Sequence, residues 1–185
     1  MSLIKTDKGF TLIEVLVAVV IVSVGLLGLA SLQIIARQGN YESFQRAQAL
    51  AIAHAAVDRM KVNVNMLDRY QNDGNPIGAS SIAVEPLNCT ATDAVAGCET
   101  AITDHDLWEL EQLLDSADSI ISARMCITHQ PDASAAGNIR VVIAWRGLAE
   151  SLIPADELDD CGKTAIDNTF LKQVVVDSYV HVNNT

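Results

Sequence analysis

The chain has 185 residues, and its 12 lysines and arginines against 23 aspartates and glutamates give a formal charge of −11. This acid excess argues against direct binding to nucleic acid, because phosphate binding needs a basic surface. Hydrophobic residues make up 50% of the chain and charged residues only 19%, which excludes intrinsic disorder. The length allows one domain of ordinary size with a hydrophobic core.

An uncharged segment follows a short basic stretch at the amino terminus. No charged side chain occurs from Val15 to Ala36, and Lys5 and Lys8 precede this segment. A helix of that length measures about 33 Å, which is close to the thickness of the hydrocarbon core of a bilayer. Because basic residues tend to remain in the cytoplasm, the sequence predicts one membrane span with the carboxyl-terminal part outside the cytoplasm.

A single carboxylate, that of Glu14, stands directly before the uncharged segment. A charge at the centre of a membrane helix costs about 2.5–3.5 kcal/mol, and the cost is lower near the end of the span. Taken alone, Glu14 is therefore consistent with a charge that reaches the membrane interface. Its neighbours, Gly-Phe-Thr-Leu-Ile before the Glu, suggest a more specific function.

The residues from Gly9 to Glu14, together with the apolar run after them, resemble the processing site of type IV pilins and type II secretion pseudopilins. In that family a prepilin peptidase cuts a short basic leader after its last Gly, and the new amino-terminal Phe is N-methylated. The resemblance covers roughly residues 8–36 and implies a cut between Gly9 and Phe10. It further implies that Glu14 pairs with the amine of a neighbouring subunit and orients incoming subunits in a helical filament.

The helical pattern continues beyond the apolar segment. Small and apolar residues recur at steps of three and four from Phe44 to Leu67, which is the spacing of one helix face. We therefore predict one helix from about Phe10 to about Tyr70, apolar all round in its first half and amphipathic in its second. The predicted division of the chain is a leader (1–9), a transmembrane and filament-core helix (10–36), an amphipathic helix continuing into the head (37–70) and a globular periplasmic head (71–185).

The remaining sequence predicts a mixed head. Residues 71–103 are rich in turn-forming residues and predict a long surface loop, and Thr103 is expected to cap a short helix from Asp104 to about Ser116. Apolar and alternating segments then predict three strands. These strands are expected at Ile120–Thr128, Ile139–Arg146 and Leu171–Val182.

The expected fold class is therefore α+β, with a long amino-terminal helix packed on a small antiparallel sheet. The pilin resemblance implies the same architecture. A looser resemblance, carried by the helix around Asp106–Trp108 and the strand Val141–Arg146, points within that family to minor pilins of the PilV group.

Four cysteines follow the predicted membrane span, namely Cys89, Cys98, Cys126 and Cys161. In an oxidising periplasm they suggest two disulfides, for which three connectivities exist. We favour Cys89–Cys98 and Cys126–Cys161, because each pair joins neighbours in sequence. The thiols are scattered and form no C-x-x-C pattern, so that a zinc site is not expected.

The chain lacks the common sequence signatures of enzymes, such as G-x-S-x-G, H-E-x-x-H and the phosphate-binding glycine loops. Its four histidines fall in four different predicted elements. The acidic run between Glu150 and Asp160 lacks the spacing of an EF-hand. We therefore expect no catalytic residue, no cofactor and no metal, and a structural function.

The resemblance implies a minor type IV pilin that sits in the inner membrane with its head in the periplasm, enters the pilus near the tip and helps to prime assembly and hence twitching motility. The implied partners are other minor pilins, the major pilin, the inner-membrane platform, prepilin peptidase and a candidate tip adhesin. A minor pseudopilin of type II secretion fits the same residues. The alternative from another class is a membrane-anchored periplasmic enzyme or thiol oxidoreductase, which would carry a reactive cysteine.

Overall fold

A computed structural model describes residues 9–72, 74–82, 85, 95–131, 137–154 and 156–181. The chain divides into two compact units, which we name the amino-terminal unit (Met1–Tyr41) and the carboxyl-terminal unit (Glu42–Thr185). The helices are α1 (Leu12–Val62), a short 3-10 helix (Val64–Met66), α2 (Leu67–Tyr70) and α3 (Val95–Asp115), and the strands are β1 (Ile121–Pro131), β2 (Gly137–Arg146) and β3 (Leu171–Val180).

Helix α1 ends at Val62, so the predicted helix to Tyr70 is wrong in its last part. Asn63 leaves the helical conformation, with φ −112° and ψ 56°. Its Nδ2 donates to the hydroxyl of Thr103 at 2.9 Å and to the carbonyl O of Glu99 at 3.3 Å, both in α3. An asparagine competes with a helix when its side chain can bind backbone and polar groups elsewhere.

Helix α3 begins at Val95, which corrects both the predicted loop over 71–103 and the predicted cap at Thr103. Thr103 is fully buried within the helix. Its hydroxyl donates to the carbonyl O of Glu99, one turn earlier, at 3.0 Å, and also accepts the bond from Asn63. The turn-forming composition was misleading here, because a threonine favours a cap only where it has no better partner.

The three strands form an antiparallel sheet in the order β1-β2-β3. The register between β2 and β3 is regular from Gly137 opposite Val180 to Arg146 opposite Leu171. The register between β1 and β2 shifts near Ser122, whose φ of 55° lies in the left-handed region. The long amino-terminal helix and the small antiparallel sheet confirm the predicted α+β class and a pilin-like architecture.

The larger core lies between one face of the sheet, α3 and the later turns of α1. Small side chains on α1 permit this packing, since Ala49, Ala53 and Ala56 are all fully buried. The residues of the sheet that join this cluster are mainly Ile and Val. A second, smaller cluster covers the other face and consists of Val142, Ala144, Leu158, Cys161, Ile166 and Leu171.

Candidate functional site

The start of α1 is closed by a reciprocal pair of hydrogen bonds between Thr11 and Glu14. The backbone N–H and the hydroxyl of Thr11 both donate to Oε2 of Glu14 at 3.1 Å, and the backbone N–H of Glu14 donates to the hydroxyl of Thr11 at 3.4 Å. This arrangement is a capping box, which satisfies backbone donors that the first helical turn leaves unpaired. Glu14 therefore has an intramolecular partner as well as the predicted role between subunits.

The predicted cleavage position precedes this capping box and is open. Gly9 and Phe10 lie before the helix, and the side chain of Phe10 is 89% exposed. A Cβ added to Gly9 would meet nothing within 4 Å. The structure of the chain itself thus places no steric demand on a glycine at position 9.

The two serine hydroxyls in the apolar part of α1 are satisfied within the helix. The hydroxyl of Ser23 donates to the carbonyl O of Val19 at 2.6 Å, and that of Ser31 donates to the carbonyl O of Gly28 at 2.8 Å. Backbone and hydroxyl groups must be satisfied internally where no water is present. By length and composition, helix α1 contains a segment that could cross a membrane, and none of that segment is buried.

Helix α3 is tied to α1 and α2 by four ionic or phenolic contacts. Arg59 donates to Oδ1 of Asp106 at 2.8 Å and also pairs with Glu109. Arg69 pairs with Asp104 at 2.7 Å, and the hydroxyl of Tyr70 lies 2.5 Å from Oδ2 of Asp106. These contacts place the acidic side of α3 against the two arginines.

The same network changes the titration of its members. Burial is the main cause that raises the pKa of Tyr70 above its ordinary value of 10.0, and the adjacent Asp106 carboxylate raises it further. The hydrogen bond from Arg59 lowers the pKa of Glu109 below its ordinary value of 4.5. The phenol therefore stays protonated, and the carboxylate stays ionised, over a wider pH range than in an unfolded chain.

A buried carboxylate on α3 holds the loop Gly78–Ile82. Glu111 is fully buried and accepts hydrogen bonds from the backbone N–H groups of Gly78, Ser81 and Ile82 and from the Ser81 hydroxyl, at 2.5–3.1 Å. Asp115 accepts the N–H groups of the two intervening residues at 3.1 Å. These two residues, Ala79 and Ser80, have φ of 56° and 57°, and this conformation turns successive N–H groups toward the carboxylates.

A disulfide joins Cys126 of β1 to Cys161, with their Cα atoms 5.8 Å apart. This is one of the two pairs that the sequence favours. It fastens the loop between β2 and β3 to the sheet, and Gln173 adds hydrogen bonds from its Nε2 to the carbonyl O atoms of Asp159 and Cys161 at 2.9 and 2.8 Å. The other favoured pair, Cys89–Cys98, involves Cys89, which lies outside the described residues.

A buried histidine connects β1 to α2. Nδ1 of His129 lies 2.7 Å from Oδ1 of Asp68, and the side chain of His129 is only 2% exposed. Its Nε2 has no hydrogen-bond partner among the described residues. Within the same residues no group of three His, Cys, Asp or Glu side chains is arranged to hold a metal ion.

The structure brings some of the predicted site residues together and leaves others apart. Phe10 and Glu14 lie within one helical turn of each other in sequence, whereas Cys126 and Cys161 are separated by 35 positions and meet only in the fold. Sequence reasoning missed Thr11, although the pattern T-x-x-E from Thr11 to Glu14 is the sequence signature of a capping box. No local signal pointed to Glu111, because its partners come from a distant loop.

Comparison with known sequences identifies the amino-terminal segment. Residues 4–30 match the sequence model of the prokaryotic N-terminal methylation motif. No curated protein matches the chain, and no solved structure matches it. The motif covers Gly9, Phe10, Thr11 and Glu14 and so spans the open Gly9–Phe10 bond and the capping box. Together with the α+β architecture, this motif supports the assignment of the chain to a type IV pilin-like family. It also supports anchoring of the chain in a membrane and its association with pili or pseudopili.

Proposed function

We propose that the protein is a minor type IV pilin of the PilV group, cleaved between Gly9 and Phe10 by prepilin peptidase, N-methylated at Phe10 and incorporated into the pilus near its tip. The observation that carries the pilin assignment is the methylation motif at residues 4–30, on a helix whose membrane-length apolar segment is not buried against the described residues. The leader is residues 1–9, the membrane and filament segment 10–36, its amphipathic continuation 37–70 and the periplasmic head 71–185. The partners are other minor pilins, the major pilin, the inner-membrane platform and a tip adhesin.

The exposed apolar surface supports assembly as the function of the first segment. The large side chains from Leu12 to Ile35 are all more than half exposed. In the membrane, lipid covers these side chains, and in a filament neighbouring helices replace the lipid at little cost, since both environments are apolar. Cleavage before this segment, rather than after it, keeps it in the mature chain.

The test of processing is mass spectrometry of sheared filaments, in which we expect a peptide that begins with N-methylated Phe10. The Gly9→Val variant should remain uncleaved and absent from filaments. Because a Cβ at Gly9 meets no atom of the described residues within 4 Å, this effect reports on the peptidase and not on folding. The matched control is Gly25→Ala, which also adds a Cβ in open space and should be processed normally. Filament protein that begins at Met1 would refute the proposal.

The charge of Glu14 can be separated from its capping role. A glutamine also completes a capping box, so Glu14→Gln keeps the cap but removes the charge that pairs with a neighbouring amine. Glu14→Leu removes both. We expect both variants to insert into the membrane and both to be depleted from filaments. If Glu14→Gln is incorporated as well as the native chain, capping and not pairing is the function of this residue.

A minor pseudopilin of a type II secretion system is the second candidate, because the methylation motif is shared by pilins and pseudopilins. Deletion of the gene separates the two. Loss of pili and twitching motility supports the pilin, and loss of protein secretion with normal pili supports the pseudopilin.

A further inference from the structure

Strand β3 forms an edge of the sheet, since the strand order is β1-β2-β3. In the same register, the N–H of Gly147 donates to the carbonyl O of Phe170 at 2.8 Å. Hydrogen-bonded and non-hydrogen-bonded pairs alternate along an antiparallel ladder. Counting from this bond, Val175 and Asp177 direct their N–H and C=O groups away from β2, and no described residue binds those groups.

From Val174 onward this edge lacks the features that usually protect an edge strand, and Lys172, at the start of β3, donates from its Nζ to the carbonyl O of Glu150 at 3.0 Å. Natural edges carry lysines, prolines, bulges or inward-pointing charges that prevent pairing with another chain. From Val174 to Val180 the sequence is VVVDSYV, with no Lys and no Pro, and its register with β2 has no bulge. The one charge, Asp177, receives two hydrogen bonds from Arg140, at 2.8 and 3.3 Å, which neutralise it. This stretch is therefore mainly apolar, and among the described residues nothing binds its outward backbone groups at Val175 and Asp177.

A groove adjoins the edge on the outer face of the sheet. It has a volume of about 330 Å³ and runs between Val175 and the loop that follows β2, with Ile153 and Leu158 as its apolar lining. Val175 and Ile153 are 45% and 48% exposed, so that the groove can take an apolar side chain from outside. Alternate side chains of an added strand fit such a groove, while its backbone pairs with the edge.

The charge around the groove indicates which kind of strand would bind. Glu157, Asp159 and Arg140 line it, and the charge of Arg140 is offset by its ion pair with Asp177, so that the two carboxylates of the loop remain. Of the 23 acidic residues of the chain only Asp7 and Glu14 precede residue 42, so that the carboxyl-terminal unit is strongly acidic. A second copy would bring the same acidic loop to the edge and be repelled, whereas a basic segment would be attracted.

We propose that β3 binds an extended, positively charged segment of a partner protein by strand addition. The backbone of Val175 and Asp177 supplies the hydrogen bonds, the Ile153 groove takes an apolar side chain, and the acidic loop at Glu157 takes a basic one. This inference concerns the carboxyl-terminal unit alone and holds whether or not the chain is processed at Gly9.

The test uses the whole 185-residue chain in detergent micelles. The probe is a short synthetic peptide of alternating Val and Thr with lysines at both ends, and a peptide with glutamates in place of the lysines is its control. Binding is measured by fluorescence anisotropy, and amide hydrogen exchange is followed at individual residues. We expect the lysine peptide to bind and to slow exchange at Val175 and Asp177, while the glutamate peptide does not bind.

Substitutions at position 175 test the geometry. Because the N–H of Val175 points away from β2, Val175→Pro leaves the β2–β3 ladder intact and blocks only the added strand. Val175→Lys keeps the N–H but repels a basic peptide, and Val175→Thr is the matched control. Losing one or two such hydrogen bonds should weaken peptide binding by about tenfold or more in the Pro variant, with similar weakening in the Lys variant and none in the Thr variant.

Three results would overturn the proposal. One is binding to Val175→Pro and Val175→Lys that equals binding to the native chain, and another is equal binding of the two peptides. The third is a dimer of the native chain, seen by analytical ultracentrifugation, that Val175→Pro dissolves, since the occupant of the edge would then be a second copy. Circular dichroism confirms that each variant is folded, and Val175→Lys keeps the test valid should the proline disturb the strand.

Discussion

The two units of this protein differ in where their apolar side chains lie and in how their polar groups are satisfied. The amino-terminal unit keeps its apolar side chains on the outside, and polar side chains such as Ser23 and Glu14 bond to residues three or four positions away. The carboxyl-terminal unit buries its apolar residues in two clusters and satisfies its polar groups through partners that are distant in sequence. The first unit therefore depends on an external apolar partner, whereas the second provides its own. Substitutions in the two units should differ accordingly in what they change.

The largest effect on stability is expected from the disulfide. Replacing Cys126 and Cys161 by Ala removes a cross-link between residues 35 positions apart and should lower the free energy of unfolding by about 4 kcal/mol. The melting temperature of the carboxyl-terminal unit should fall by about 10 °C. Membrane insertion should be unchanged, because the apolar segment lies in the other unit, and a membrane flotation assay can check this. A loss of insertion would show that the two units are coupled.

The next largest effect is expected at Glu111. A glutamine at this position offers one acceptor oxygen in place of two and turns an amide N–H₂ toward N–H donors of the loop Gly78–Ile82. Glu111→Gln should therefore cost about 2 kcal/mol, as expected when hydrogen bonds to a buried charged group are lost. Asp115→Asn is the matched control, because Asp115 is exposed, and it should cost much less. Urea unfolding of both variants measures the difference, and equal costs would contradict the role of burial.

Tyr70 should make the carboxyl-terminal unit sensitive to alkaline pH. Its pKa is raised in the folded state above the ordinary value of 10.0, so that the unfolded chain releases the phenolic proton first. This contribution to stability is fully present below about pH 10 and is lost as the pH rises through the folded-state pKa. Tyr70→Phe should cost about 1 kcal/mol at neutral pH through loss of the bond to Asp106 and should flatten the alkaline decline. If stability falls as steeply with alkaline pH in that variant as in the native chain, Tyr70 is not the group that causes the decline.

A smaller and strictly local effect is expected at Thr11. Thr11→Val removes both the N-cap hydroxyl and its bond to Glu14 and should destabilise the first turn of α1 by about 1 kcal/mol. Amide exchange should become faster in that turn only, and the melting temperature of the carboxyl-terminal unit should stay the same. Thr11→Ser, which keeps the hydroxyl, serves as the control.

The smallest effect is expected at the pair of Arg140 on β2 and Asp177 on β3. Both side chains are more than half exposed, at 52% and 58%, and an exposed ion pair contributes less than about 1 kcal/mol. Arg140→Ala should therefore shift the midpoint of urea unfolding very little. A shift as large as that of Glu111→Gln would mean that the outer face of the sheet is covered in the protein.

Most of the elements of the fold follow from periodicity, and the errors occur where a distant partner decides. The predicted strand Ile139–Arg146 is confirmed because its alternation is a local property of the sequence. The predictions of a helix to Tyr70 and of a cap at Thr103 were wrong because Asn63 and Thr103 bind each other across 40 positions, which no local pattern reveals. The capping box from Thr11 to Glu14 is local and could have been predicted from the sequence. The hydrogen bonds between Glu111 and the distant loop Gly78–Ile82 could not.

The sequence by itself determined the amino-terminal segment, because the features of that segment depend only on residues that are close together along the chain. The uncharged run after Glu14, the Gly9–Phe10 motif and the T-x-x-E cap all lie within a few helical turns, so that helical geometry alone sets their relations. Only the tertiary structure decided which backbone groups of β3 stay open, which loop Glu111 holds and where Cys161 meets β1. Those relations depend on chain segments brought together by burial of the core, and burial acts on surface without regard to distance along the chain.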